Sequence, residues 1–156
     1  MRYPVIICFF ILFGLSNVCF GAKPIEVLQQ QIDEGLDILR DPRYQDAAQK
    51  KLQQEKLWDV TQRIFDFEEF SRRVLGSHWK HFPPRQRDAF TGVFSEFLCN
   101  FYLRRLQARY NGEQVFYVGQ TPISKSHARV EILVLWKNLE VPVDLRMMHR
   151  NGTWKV

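Results

Sequence analysis

Residues 127–136 read HARVEILVLW, residues 139–150 read LEVPVDLRMMHR, and Lys137-Asn138 stands between them. A two-residue polar turn between runs rich in Val, Ile and Leu predicts a β-hairpin. Folding the chain at that turn sets Trp136 against Leu139, Val134 against Val141, Ile132 against Val143, Val130 against Leu145 and Ala128 against Met147. Every pair is apolar and all share one face of the ribbon. The other face pairs Glu131 with Asp144 and Arg129 with Arg146, and the diagonals Glu131–Arg146 and Arg129–Asp144 offset the like charges. A slip of one residue would scramble this sorting, so the register is specified. Pro142 falls where its missing donor points away from the 126–136 strand, so it costs this hairpin no bond.

Working outward, Asn151-Gly152 predicts a second tight turn. It puts Trp154 opposite His149 and Val156 opposite Met147. Residues 113–156 therefore read as an antiparallel meander of about four strands.

Upstream, residues 24–110 follow a helical period. Pro24 opens a first helix whose apolar stripe is Ile25, Leu28, Ile32, Leu36 and Leu39, and Asp41-Pro42 ends it. A second helix is expected from about Tyr44 to Phe65, polar at first and turned inward by Leu57, Val60 and Ile64. Asp66 is placed to cap a short helix, with Glu69 three residues on and Gly76 as its stop. Pro83-Pro84 opens the longest helix, whose stripe is Phe90, Phe94, Phe97, Leu98, Phe101, Leu106 and Tyr110. The expected class is α+β: N-terminal helices packed on a twisted antiparallel meander, with an apolar pocket between helices and sheet. The long aromatic helix is expected to cover the sheet.

The chain has 156 residues, 46% of them hydrophobic and 25% charged, the balance of a folded protein and not of a disordered one. Arg2 followed by the apolar run Val5–Phe20 and small residues near Gly21 reads as a secretory signal peptide. We expect residues 1–21 to be removed and 22–156 to form a single domain outside the cytosol. Of the cysteines, Cys8 and Cys19 would leave with the signal. Cys99 would then have no disulfide partner.

The formal net charge is +5. Arg72, Arg73, Lys80, Arg85 and Arg87 fall together with His78 and His81, ahead of the next acid, Asp88. For an exported protein we expect no nucleic-acid partner, and such a face suits docking to an acidic protein or anionic headgroups. A solvated charged face is the plain alternative.

Little resembles catalysis. His78 and His81 sit three apart, but no Cys, Asp or further His stands near them to complete a metal site. Glu68-Glu69 suits a helix start and not an acid–base dyad. No phosphate-binding glycine loop occurs. We therefore expect no enzyme, no cofactor and no metal. The apolar surplus of the sheet face and the aromatic helix suggests a ligand cavity. The residues expected to line it are Phe94, Phe97, Leu98 and Phe101 above Val130, Ile132, Val134, Val141, Val143 and Leu145. A solid core is the structural alternative.

Several blocks resemble the MlaC family in order: Phe65-Asp66-Phe67, Val74-Leu75-Gly76-Ser77-His78-Trp79, Pro84-Arg85-Gln86-Arg87 with Phe90, Phe94, Phe97-Leu98 with Tyr102 and Tyr110, and Gly152-Thr153-Trp154-Lys155-Val156. That family comprises periplasmic phospholipid-binding components of a lipid-transport system, also called toluene-tolerance proteins. The resemblance spans about Pro24 to Val156. It implies a periplasmic shuttle whose pocket holds acyl chains. It also implies partners: an inner-membrane ABC transporter complex and an outer-membrane lipoprotein complex, in a system that maintains outer-membrane lipid asymmetry. Arg72, Arg73, Lys80, Arg85 and Arg87 would then be the docking face. The competing readings are a small cone-shaped α+β enzyme and a plain interaction module.

Two departures stand out. Position 145 is Leu where family members commonly carry an aromatic residue. Relatives also continue past the WKV position with more strand and a C-terminal segment. We accordingly expect the sequence as given to be shortened at its C-terminal end, with residues 139–146 lacking a strand partner on that side.

Overall fold

The computed structural model describes residues 22–156. The expected signal peptide, residues 1–21, lies outside the described residues. Four strands form one antiparallel sheet in the order β1 (Gln114–Ser124), β2 (His127–Trp136), β3 (Leu139–Arg150) and β4 (Thr153–Lys155). The β2–β3 ladder runs from Trp136↔Leu139 to His127↔Met148 without a shift, and it contains every pair expected from the turn. Lys137 (φ 50°) and Asn138 (φ 65°) both adopt left-handed conformations, as do Asn151 (φ 50°) and Gly152 (φ 82°). Two consecutive residues of this kind give the turn whose twist matches that of the flanking strands.

The ladder between β3 and β4 ends at Met148↔Lys155. Contrary to the expectation from the turn, Val156 does not pair with Met147. Its N–H donates to Ile64 O at 2.8 Å and its carbonyl accepts from Asp66 N at 2.9 Å. The helix ending at Ile64 gives way to extended backbone at Phe65, and the Ile64 carbonyl and Asp66 N–H on either side of it compete for the strand end.

Helix α1 spans Pro24–Arg40, α2 Lys50–Ile64, α3 Phe67–Leu75 and α4 Pro84–Arg109. The second helix begins later than the expected Tyr44. Asp41 accepts from Arg43 N and Asp46 from Ala48 N, so two short 3-10 turns, Pro42–Tyr44 and Ala47–Gln49, precede it. Side chains that bond their own backbone compete with helix propagation in this way. Asp66 caps α3 through Glu69 N at 3.0 Å, and Gly76 (φ 53°) ends it.

The helix that lies on the sheet is α1, not the aromatic α4. Leu28 is fully buried against Val130, Ile132 and Met147, with Ile25, Ile32, Ile64, Trp154 and Val156 around them. Two polar bonds fix that contact. Gln120 Oε1 on β1 accepts from Ile25 N at 2.9 Å, satisfying an orphan donor of the first turn. Tyr117 donates its hydroxyl to Asp33 Oδ1 at 2.8 Å. Helix α4 packs instead on α2 and α3. Its buried seam is Ser95, Cys99 and Leu103, which meets Leu57 of α2. Among the described residues no helix is long and apolar enough to cross a membrane.

Candidate functional site

The turns of α1 that extend beyond the sheet contact, the inward half of α2, the start of α3 and the middle of α4 enclose a cavity of about 770 Å³. This lies within the range of roughly 300–1,000 Å³ typical of ligand pockets. The wall follows from the helical stripes. Ile32, Leu36 and Leu39 come from α1, Leu57, Val60 and Ile64 from α2, and Phe94, Leu98 and Leu103 from α4. Spacings of three and four keep each set on one face.

Aromatic rings close the end formed by α2 and α3. Phe65 and Phe70 meet edge to face at 5.7 Å, Phe67 stacks on Trp58 at 6.1 Å, and Phe65, Phe67 and Phe70 all line the wall or its floor. Phe94 is held by stacking on Phe90 at 5.5 Å.

Polar groups on the wall are sparse. Thr61 donates its hydroxyl to Leu57 O at 2.7 Å, an internal helix bond that leaves the wall apolar. Gln31 Oε1 is buried without a hydrogen-bond partner. Cys99 is buried, and burial pushes its thiol up to about 11, which makes it an inert wall residue and not a nucleophile. The exposed residues Tyr102, Arg105 and Leu106 mark the mouth.

The expected lining divides four ways. Phe94 and Leu98 line the cavity. Phe97 (62% exposed) and Phe101 (41% exposed) stack on each other at 6.1 Å on the outer side of α4. Val130 and Ile132 are buried under α1, with Val134, Val143 and Leu145 packed around them. Val141 stands exposed near the hairpin end. None of the six sheet positions lines the cavity, because α1 occupies the layer between it and the sheet. The site is therefore enclosed by helices, and the expected pocket directly on the sheet is filled by Leu28. Residues of α1 and α2 were not among the expected lining. Their signal was the continuation of the α1 stripe to Leu36 and Leu39, beyond the length that Leu28 and Ile32 need to seal the sheet.

The basic stretch spans the end of α3, the 3-10 segment Gly76–His81 and the first turn of α4, away from the cavity wall. Arg72 grips both oxygens of Glu69 at 2.7 and 2.6 Å, and Arg73 adds a bond at 2.8 Å. These bonds, Arg72's first, hold the Glu69 carboxyl at about 2. Arg87 donates to Trp79 O at 3.0 Å and stacks over the Trp79 ring. Lys80 and Arg85 form no ion pair among the described residues. Three of the five expected docking cations are thus engaged within the fold. His78 and His81 lie with ring centroids 6.4 Å apart, and the described residues hold no cluster of three or more metal-ligating side chains.

A family profile described as MlaC protein matches residues 29–156. Among solved structures, the fold is similar to that of a phospholipid-binding protein from Ralstonia solanacearum, determined in complex with a phospholipid. That match has a TM-score of 0.69 and 22% identity, and covers 86% of this chain and 75% of the other. No curated protein matches the chain.

Proposed function

The chain belongs to the MlaC family, and from that premise we propose that it is a periplasmic phospholipid-binding shuttle of an ABC-type lipid transport system. The observation that carries this reading is the cavity of about 770 Å³, whose wall is aliphatic and aromatic on all four helices. Each acyl methylene left in water costs about 0.8 kcal/mol, so a carrier must enclose the tails, and an apolar wall does so without any catalytic group. The phospholipid complex of the Ralstonia protein, which shares the fold, supports the same ligand class. A binding protein and not an enzyme is the reading that suits a buried, unreactive Cys99 and a wall without an acid–base pair.

The expected partners are an inner-membrane ABC transporter complex and an outer-membrane lipoprotein complex. Lys80 and Arg85, free of ion pairs, are the cations best placed to meet an acidic docking surface. Charge reversal at both, Lys80→Glu with Arg85→Glu, should slow association with such a complex and reduce its salt dependence while bound lipid stays constant.

The test of the carrier reading is to purify the protein after export and extract it with organic solvent. Stoichiometric phospholipid in the extract, and a matching adduct by native mass spectrometry, is the expected result. Folded protein that carries no lipid, and takes none from vesicles, would sink the reading.

A further inference from the structure

Among the residues that wall the cavity, Arg105 is the only charged one, and it stands at the mouth. We propose that its guanidinium is the receptor for the phosphate of the bound lipid. The inference rests on the carrier reading and assigns a role to one residue within it.

An exposed arginine is usually a solvated charge or half of an ion pair. Arg105 has no carboxylate partner and no hydrogen-bond acceptor among the described residues. It is nevertheless held in place: its guanidinium carbon lies 3.8 Å from the centroid of the Phe101 ring, one helical turn earlier. Stacking engages the flat face of the guanidinium and leaves its N–H donors, which point outward in the plane, unspent. A planar fork of such donors matches the oxygens of a phosphate two at a time.

The placement fits an amphiphile. Leu57, Cys99 and Leu103 bury the inner wall, and Tyr102 and Leu106 flank Arg105 at the exposed rim. A ligand with its chains inside leaves its head at that rim. The phosphate there can meet Arg105 without entering the apolar interior, where an anion would be strongly disfavoured. Phe101, outside the cavity wall, acquires a function as the platform that orients the cation.

The test compares two ligands with the same acyl chains, dioleoyl phosphatidylglycerol and dioleoylglycerol, the second lacking phosphate. Delipidated wild-type protein should retain the phosphatidylglycerol roughly tenfold over the diacylglycerol, the scale of one charge-assisted hydrogen bond. Arg105→Gln should bring that ratio to about one, and Lys125→Gln, which removes the same charge at the β1–β2 turn, should leave it at the wild-type value. Millimolar inorganic phosphate should not change the wild-type ratio. Loss of the ratio in phosphate would indicate a free-anion site and overturn the proposal. So would equal retention of both lipids by wild type, or an unchanged ratio in Arg105→Gln. Failure of wild type to bind either lipid would instead remove the carrier reading itself.

Discussion

Gln53 accepts a hydrogen bond from Gln107 at 3.0 Å while donating its own amide to Ile38 O at 2.8 Å. One buried side chain therefore joins α1, α2 and α4 behind the cavity. Ile38 O belongs to the last turn of α1, where carbonyls lack an intrahelical partner, so the bond satisfies an orphan acceptor. The cavity owes its shape to three helices that do not collapse on one another, and this junction sets their spacing.

Gln53→Ala should accordingly destabilise the fold by about 1–3 kcal/mol, because it strands a buried carbonyl and leaves a void. Urea unfolding followed by circular dichroism measures it. A loss below about 0.5 kcal/mol would place the residue among ordinary surface positions.

Gly35 offers a test in which stability and ligand binding move in opposite directions. It lies mid-helix on the cavity wall, and a Cβ there would meet only Val60 Cγ1, at an ordinary 3.7 Å. Gly35→Leu should gain helix stability of up to about 1 kcal/mol. Its side chain would also occupy space that the acyl chains need. The expected result is a higher melting temperature for delipidated protein and less lipid retained. A variant that binds lipid as wild type does would remove the α1 wall from the site.

The hairpin was readable because both of its determinants are local: a two-residue turn and a period of two. The pairing of Val130 with Leu145 needs nothing beyond the sequence between them. The choice between α1 and α4 as cover for the sheet was not readable in the same way. Both carry apolar stripes, and apolarity alone favours the phenylalanines. What decides is close approach and polar anchoring. Cys99 is small enough to let α4 settle on Leu57 of α2, whereas Gln120 and Tyr117 of β1 hold α1 to the sheet. The two bonds from β1 to α1 join residues more than eighty positions apart, and none of these contacts leaves a periodic trace. The same displacement moved the cavity. Phe94 and Leu98 remained on its wall, while the sheet residues other than the exposed Val141 became the core beneath α1.

Cys99 reports on that cavity from inside. With its thiol at about 11, roughly one molecule in a thousand carries the thiolate at pH 8. Iodoacetamide should therefore modify native protein slowly and urea-unfolded protein quickly. Lipid-loaded protein should react more slowly still than delipidated protein, since bound chains cover the wall. Equal rates for loaded and empty protein would show that the ligand does not reach Cys99.

Acid titration tests the arrangement at the end of α3. Glu69 has its carboxyl depressed from 4.5 to about 2, first by the bond from Arg72 and then by Arg73, and its side chain is only 14% exposed. A carboxyl whose folded pKa lies below its unfolded value adds stability that is complete above the unfolded value. That stability is lost as pH falls through the folded one. The window is thus from about pH 4.5 down to about pH 2. Both arginines are exposed, so screening reduces the contribution to about 1 kcal/mol. Wild type should lose that increment on acidification, and Glu69→Gln should lack it at neutral pH and titrate more weakly across the window. The substitution also frees Arg72 and Arg73 beside Lys80 and Arg85. If this face docks to an acidic complex, association of Glu69→Gln should quicken at low salt. A variant with unchanged acid stability would mean that the Arg72–Glu69 pair contributes nothing in solution. Unchanged association with a partner complex would leave the two arginines as local scaffolding for α3.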